Sequence, residues 1–332
     1  MCIQGGYRVK ELFARFGKSA VSGSFDSLRS RSLQLIREQI LKIPDFRDNA
    51  VRLMDHDGIN LDKPLAIRVD VEKKGANVTF DFSETDHQGV GPINIRPHLL
   101  NAACAYVMVA ITDPSLPINQ GVLDSFQTVT KKGTVVDPEF PAPVNSYNTA
   151  LHAIIEAIFA TFGQHVPNLA RADGGGGRAL TFAHAIAGKT LIQYELFAGG
   201  TGAMLDYEGE IGCHCNQTNG KVGSIEMLES EFPVQVNEFS VRRDSGGKGL
   251  YKGGCGFRRR YTILDGAATI TLRSSKHDIS PQGSNGGKAG ATGFCQIDTD
   301  AGPKVLATME SGLVLRPGDT LVIDTPGGGG FG

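Results

Sequence analysis

Several features that would narrow the function are scarce or missing from this 332-residue sequence. Tryptophan is absent, cysteine occurs six times, and the formal net charge is only −2 at pH 7, so no broad charged surface for nucleic acid or anionic lipid is expected. No apolar run reaches the roughly 20 residues that span a bilayer, and the first residues lack the pattern of a signal peptide. We therefore predict a cytoplasmic protein with reduced thiols and with neither a nucleic-acid nor a membrane partner.

Glycine, in contrast, is in clear excess. Average usage would give about 23 glycines in a chain of this length, and the sequence has 43. Because glycine tolerates conformations and close contacts that other residues do not, this excess predicts many tight turns, close backbone approaches, or both.

The hydrophobic periodicity divides the chain into three parts. Residues 9–43 show helical spacing with an interruption at Gly17, and residues 62–83 alternate like a β-hairpin. Apolar runs predict helices at 97–111 and at 149–162, the second ended by Gly163. After about residue 178 a period of two predominates, and it predicts strands at 190–197, 232–242, 257–263, 268–274 and 320–324.

Together these patterns predict an α+β fold. Helical N-terminal and middle segments should pack on antiparallel sheets, and the C-terminal third should be mainly β. We expect one continuous unit over residues 1–332, made of a helical lead-in (1–60), an α+β part (61–177) and a mainly β part (178–332).

Two short motifs have simple structural interpretations. Asp55-His-Asp-Gly58 is similar to the opening of a calcium loop, but the third acidic position and the bidentate glutamate are missing, so turn chemistry explains it better. The glycine runs at 173–178 and 199–202 could direct N–H groups at a phosphate or carboxylate. Neither run has the spacing of a phosphate-binding loop, and close backbone packing is the favoured interpretation.

Cys213-His-Cys215 contains the ligand types that zinc prefers. On a strand, however, its two cysteines would share one face and His214 would take the other. A structural zinc site also needs a second ligand pair, whereas Cys255 and Cys295 are isolated. We predict free thiols here and assign no metal to this chain.

His214 is the strongest candidate for chemistry. A histidine among acidic residues can act as a general base or as a ligand, and the surrounding segment contains Asp206, Glu208 and Glu210. The alternative is a structural histidine whose ring is satisfied by a backbone carbonyl.

Read in order, several segments resemble the hydantoinase B family, the B-type subunits of ATP-dependent hydantoinases and 5-oxoprolinases, to which acetone and acetophenone carboxylase subunits are related. The segments that carry the resemblance are Asp55-His-Asp-Gly58, Asp81-Phe-Ser-Glu-Thr-Asp-His-Gln88, Gly91-Pro-Ile-Asn94, Asp113-Pro-Ser-Leu-Pro-Ile-Asn-Gln-Gly121, Gly199-Gly-Thr-Gly-Ala203, Arg243-Asp-Ser-Gly-Gly-Lys-Gly249, Gly253-Gly254 and Thr325-Pro-Gly-Gly-Gly-Gly-Phe-Gly332.

The resemblance covers the C-terminal part of a full-length B-type subunit. It implies that ATP with Mg is handled by a hydantoinase A-like partner subunit. It also implies that a divalent metal, Zn or Mn, lies on the amino-terminal half that has no counterpart here, either on a separate polypeptide or lost. We accordingly expect an obligate hetero-oligomer with apolar surface where the other part would pack.

The resemblance also singles out a site. The family shows two histidines separated by one residue and followed by Met-Thr-Asn; His214 matches the first histidine, and Asn216 replaces the second. We therefore predict His214 and Asp206 as catalytic residues. The predicted substrate-binding residues are Gly199, Gly200, Gly202, Thr218 and Asn219.

The implied function is that of a subunit of an ATP-dependent cyclic-amide hydrolase, which shapes the substrate pocket and the assembly. The amide would be activated by phosphorylation and then opened by water. Two alternatives remain open at this point: a subunit of an ATP-dependent ketone carboxylase, and a non-catalytic scaffold.

Overall fold

A computed structural model describes residues 2–216, 218 and 220–332. Within these residues the chain forms six α-helices and thirteen β-strands, which confirms the α+β prediction. The helices are α1 (Cys2–Phe16), α2 (Lys18–Ile40), α3 (Pro97–Ile111), α4 (Gln120–Leu123), α5 (Tyr147–His165) and α6 (Ile225–Glu231). The strands are β1 (Phe46–Met54), β2 (Leu65–Lys74), β3 (Asn77–Asp81), β4 (Phe126–Val129), β5 (Gly177–Ile186), β6 (Lys189–Ala198), β7 (Val234–Val241), β8 (Phe257–Ile263), β9 (Ala267–Arg273), β10 (Phe294–Thr299), β11 (Gly302–Val305), β12 (Met309–Leu315) and β13 (Thr320–Asp324).

The two N-terminal helices follow the predicted pattern. Gly17, with a φ of +79°, separates α1 from α2. No residue of α1 is buried, and its apolar residues form an exposed group that we term the α1 stripe (Ile3, Tyr7, Val9, Leu12 and Phe16). No helix among the described residues combines the length and the apolar character needed to cross a bilayer.

The first sheet has the strand order β1-β2-β3-β4 and forms one hydrophobic core with α2, α3 and α5. Two details of this sheet do not follow from the sequence patterns. The segment predicted as a helical lead-in contains strand β1. The buried residues of this strand recur only at every fourth position (Phe46, Ala50 and Met54), so its apolar residues do not alternate with a period of two. The pairing of β3 with β4 is parallel, because the long connection between them crosses over through α3 and α4.

Helix α5 continues beyond the predicted stop at Gly163. A Cβ atom at this position would lie 2.7 Å from the Cα of Ala170, so the glycine permits the chain after the helix to fold back closely. The close approach, rather than a helix end, explains this glycine.

The C-terminal part contains two antiparallel sheets, ordered β11-β10-β13-β8-β7 and β12-β9-β5-β6. They share a second hydrophobic core, in which Phe182 of β5 contacts Tyr261 of β8 with ring centroids 5.5 Å apart. The prediction of a mainly β C-terminal third is confirmed.

Glycine-rich segments of the C-terminal part pack against one another through backbone hydrogen bonds. We term residues 173–177, 199–203, 246–254 and 326–330 the glycine layer. Gly200 N–H donates to Pro326 O at 2.9 Å, Gly254 N–H to Thr201 O at 2.9 Å, and Gly328 N–H to Gly254 O at 2.9 Å. A Cβ on Gly200 would stand 1.8 Å from Gly254 O. Much of the glycine excess therefore serves backbone-to-backbone packing.

Buried polar groups connect the two parts. The Asp55 carboxylate accepts hydrogen bonds from His277 N–H at 2.9 Å, from Ile279 N–H at 3.0 Å and from Thr308 Oγ1 at 2.9 Å. The neighbouring Asp57 accepts from several backbone N–H groups, including that of Asn60 at 2.7 Å. The Asp55-His-Asp-Gly58 motif is therefore a turn that fixes the junction, as its chemistry predicts.

A buried ionic network lies beside this turn. Lys276 Nζ is 2.8 Å from Glu156 Oε2 and 3.9 Å from Asp173 Oδ2, and Arg52 Nε is 2.8 Å from Asp173 Oδ2. Glu156 and Arg52 belong to α5 and β1, whereas Asp173 and Lys276 belong to the C-terminal part. We term these four residues the junction network.

Candidate functional site

The described part of the chain forms a cavity of about 410 Å³. It lies between the N-terminus of α5 and the outer face of the sheet β12-β9-β5-β6. Both parts of the molecule thus contribute to its walls.

Strand alternation determines which side chains of the sheet face this cavity. Thr181 of β5, Tyr194 of β6, and Thr271 and Arg273 of β9 line it, whereas their neighbours point into the second core. Arg178 also lines the cavity, but its side chain is buried on the other face of β5, where its Nη1 lies 3.4 Å from Phe294 O.

The opposite wall is the start of α5. Asn145, Ser146, Asn148, Thr149 and His152 all line the cavity. Ser146 is the N-cap residue, its side chain does not cap the helix, and the first turn contains no acidic residue. The positive end of this 19-residue helix is therefore left without a compensating carboxylate of its own.

The loop after residue 211 supplies the third wall. His214 and Thr218 both line the cavity, as the sequence predicts for a site. Burial lowers the pKa of His214, so its imidazole is neutral at pH 7. In the described part of the chain, His214 Nε2 has no hydrogen-bond partner. A neutral imidazole with a free nitrogen can accept a proton from water.

The other predicted site residues occupy different places. Asp206 is exposed, accepts a 2.8 Å hydrogen bond from Tyr251 Oη, and is not among the described residues that line the cavity. Gly199, Gly200 and Gly202 pack against backbone atoms of the glycine layer. Asn219 lies outside the described residues. The acidic residues around His214 thus do not converge on it, because the segment winds through turns instead of forming a strand.

The cysteines form no metal site. All six are free thiols, which agrees with the prediction for Cys213 and Cys215. Burial raises the pKa of Cys215 to about 12, which disfavours the ligating thiolate. Across residues 2–216, 218 and 220–332, no group of three or more His, Cys, Asp or Glu could hold a metal ion. The donor set of this part of the chain does not fit a divalent metal.

Sequence reasoning missed most residues of the cavity, among them Asn145, Ser146, His152 and Arg273. Asn145 and Ser146 precede an apolar helix, His152 lies within it, and Arg273 ends a strand, so none belongs to a recognisable motif. The available signal was the polar cluster Asn145-Ser-Tyr-Asn148 directly before a buried helix, where polar side chains and helix N–H groups meet.

The model of the family described as hydantoinase B/oxoprolinase matches residues 1–332, and the chain belongs to this family.

Relatives with assigned names support the same family. A 5-oxoprolinase of Dictyostelium discoideum is 31% identical over 81% of this chain and 20% of its own length. A putative B-type D-/L-hydantoinase subunit of Pseudomonas sp. is 26% identical over 99% of this chain and 57% of its own length. An uncharacterized protein of Methanocaldococcus jannaschii is 31% identical over 99% of this chain and 57% of its own length. The chain thus spans little more than half of the two shorter relatives.

Solved structures show the same fold. The ATP-dependent caprolactamase from Pseudomonas jessenii superimposes with a TM-score of 0.86 at 22% identity, covering 100% of this chain and 59% of that one. A nucleotide-free acetone carboxylase superimposes with a TM-score of 0.81 at 18% identity, covering 98% of this chain and 50% of that one.

Proposed function

We propose that this chain is the C-terminal portion of a B-type subunit in an ATP-dependent cyclic-amide hydrolase. The cavity between α5 and the sheet would be its substrate pocket. The observation that carries the proposal is that His214, with a neutral imidazole and a free Nε2, lines this cavity. Family membership and the names of the relatives supply the reaction class.

The chemistry follows from the stability of the amide bond. Resonance makes an amide carbon a poor electrophile, and phosphorylation of its oxygen removes that protection. Water then adds to the carbon while His214 Nε2 accepts a proton from it, and the ring C–N bond breaks with protonation of the nitrogen, which leaves an acyl phosphate. A second water hydrolyses this acyl phosphate to the carboxylate and inorganic phosphate. Asn145, Asn148 and Thr218 would orient the ring by hydrogen bonds.

The remaining components belong to partners in this proposal. A hydantoinase A-like subunit would bind ATP with Mg, and the Zn or Mn of the family would be held by residues other than 2–216, 218 and 220–332. The exposed α1 stripe supports a partner, because apolar residues on a surface favour association. A cytoplasmic location fits the exposure of the Cys2 and Cys213 thiols.

Ketone carboxylation is the second candidate, since the fold of acetone carboxylase is closely similar. It would use a phosphorylated enol and bicarbonate in the same cavity. A hydrolase releases an amino acid from the amide without bicarbonate, whereas a carboxylase consumes bicarbonate and a ketone. A scaffold would give neither product through this chain.

The test is His214→Ala in the complex assembled with the A-type subunit. With ATP present, turnover should fall on the order of 100-fold or more, the usual scale for a general base. His98→Ala is the matched control, because His98 is exposed on α3 outside the cavity. Copurification of the variant must show that the assembly is intact. A loss within about threefold would assign the chemistry to the partners and leave this chain a scaffold.

A further inference from the structure

The cavity has one end that is rich in hydrogen-bond donors and free of acidic side chains. Among the described residues that line it, none is an aspartate or a glutamate. The donors concentrate where the start of α5 faces the end of β9, around Asn145, Ser146 and Arg273. This end differs in composition from the junction network, which contains the carboxylates of Glu156 and Asp173.

Arg273 supplies the charge at this end. With the Asn145 amide oriented so that its oxygen faces the guanidinium, that oxygen accepts from Arg273 Nη1 at 2.5 Å and from Nη2 at 3.0 Å. Among the residues that the structure describes, no carboxylate forms an ion pair with Arg273. The guanidinium is thus held in place by a neutral group and keeps its full charge for another partner.

The start of α5 adds a second, independent feature. Ser146 is 4% exposed, and its Oγ has no hydrogen-bond partner in the described part of the chain. Buried hydroxyls are normally satisfied, so an orphaned one that lines a cavity indicates a missing ligand. Helix N-termini also favour anions, because their N–H groups and dipole present positive charge.

We propose that this end of the cavity, formed by Arg273, Ser146 and the N-terminus of α5, is an oxyanion-binding subsite. The proposal deepens the proposed function, on which it rests for the kind of molecule bound. The oxyanion would be part of the substrate: either the phosphoryl group of the activated amide or a carboxylate on its ring. Both present the oxygen geometry that a guanidinium recognises.

This subsite would determine how a substrate is oriented in the cavity. An anion held between Arg273 and Ser146 leaves the rest of the substrate to extend toward His214 on the third wall. Specificity between ring substrates would then depend on the distance between the anionic group and the amide carbon. Uncharged lactams would bind weakly before phosphorylation if the anion were the ring carboxylate.

The test is calorimetric titration, without ATP, of the chain assembled with its A-type subunit, using three probes: inorganic phosphate, 5-oxoproline, and 2-pyrrolidinone, which lacks the carboxylate. Binding of phosphate would identify a phosphoryl site. Binding of 5-oxoproline without binding of phosphate or 2-pyrrolidinone would identify a carboxylate site. Either result supports the proposal if Arg273→Gln weakens that affinity tenfold or more, roughly the loss of one charged hydrogen-bonded contact.

Two further variants distinguish loss of the anion site from loss of folding. Arg316→Gln removes an exposed arginine outside the cavity and should leave the affinity unchanged. Ser146→Ala removes a single oxygen and should weaken the affinity severalfold even if Arg273→Gln does not fold. Absence of anion binding by the wild-type chain, or equal binding by Ser146→Ala and the wild type, would overturn the proposal. Because the titration needs neither ATP nor turnover, its failure is distinct from that of the His214→Ala experiment.

Discussion

Two regions of this molecule, the first hydrophobic core and the glycine layer, are packed in opposite ways. The first core, between α2 and α5, is filled by large apolar side chains, among them Ile36, Phe80 and Phe162, each with no exposed surface. The glycine layer beside the second core instead depends on the lack of side chains, since its backbone segments hydrogen bond directly to one another. Buried side-chain volume stabilises the first core, whereas the lack of side chains lets the segments of the glycine layer pack backbone against backbone.

The comparison explains where the cavity lies. The two hydrophobic cores are separate, and the N-terminal and C-terminal parts meet through the turn at Asp55, the junction network and the polar cavity. The helix contributes its N-terminus and the sheet contributes its outer face. Functional groups from both parts are thereby held on regular secondary structure.

The largest predicted effect concerns the glycine layer. In Gly200→Ala, the added Cβ would stand 1.8 Å from the backbone oxygen of Gly254, which cannot move without breaking its hydrogen bond from Gly328 N–H. We expect the free energy of unfolding to fall by about 4 kcal/mol, at the upper end of overpacking effects. Urea unfolding followed by circular dichroism measures this loss.

Gly223→Ala is the matched control. A Cβ at Gly223 meets no atom within 4 Å, so the stability should change by no more than about 0.5 kcal/mol. Similar values for the two variants would mean that the glycine layer tolerates side chains and that its composition has another cause.

The next effect concerns the junction network. Lys276→Met leaves the buried carboxylates of Glu156 and Asp173 without their shared ammonium group. Breaking a buried ion pair from one side typically costs about 3–5 kcal/mol, and we expect about 3 kcal/mol because Glu156 can take up a proton. Burial, together with the Asp173 carboxylate, raises the pKa of Glu156 to about 7. The same urea titration at pH 8 measures the loss.

Lys132→Met is the control for the junction. Lys132 also lies 2.8 Å from a carboxylate, that of Asp137, but its side chain is 73% exposed. Its removal should cost less than about 1 kcal/mol. The double variant Lys276→Met with Glu156→Gln should recover part of the lost stability, because it removes one of the stranded charges. No recovery would contradict the ionic interpretation of the junction.

Much of the fold could be predicted from the sequence, because its longer elements have a clear period. Strand β8 and strand β13 have the predicted bounds, and helix α3 does as well. Strand β1 could not be predicted, since only every fourth residue of it is buried, and a strand period does not emerge from that pattern. The end of α5 was predicted too early, at Gly163. This glycine is required by a close contact with Ala170, and that contact is visible only in the folded structure.

Two residues that line the cavity could be named from the sequence. His214 and Thr218 were predicted as site residues because one short segment contains both and resembles the family, and their roles stay predictions. Ser146 and Arg273 were not found, because more than 120 positions separate them and only the tertiary fold brings them to one cavity. Local spacing indicates the chemistry of one wall, whereas the opposite wall depends on how α5 docks on the sheet.

The smallest predicted effect is a pH dependence at the junction. Burial, with contributions from Arg178 and His56, lowers the pKa of His277 to about 2. The native state therefore keeps His277 neutral, while the unfolded chain binds a proton below about pH 6.5. Stability from this group is complete above pH 6.5 and is lost as the pH falls. Glu156, with its raised pKa, acts in the opposite direction between about pH 4.5 and 7, so the wild-type profile contains both contributions.

His277→Gln separates these contributions. Between pH 6.5 and 5 the free energy of unfolding of the wild type should fall more steeply than that of the variant, by about 1 kcal/mol per pH unit. The variant also loses the 2.9 Å contact of His277 Nε2 with Ser274 Oγ, but that loss shifts its stability at every pH and leaves the slope unaffected. His98→Gln, at an exposed position, should parallel the wild type. Parallel curves for His277→Gln and the wild type would mean that this histidine is solvated, and that the junction between the two parts is open to water.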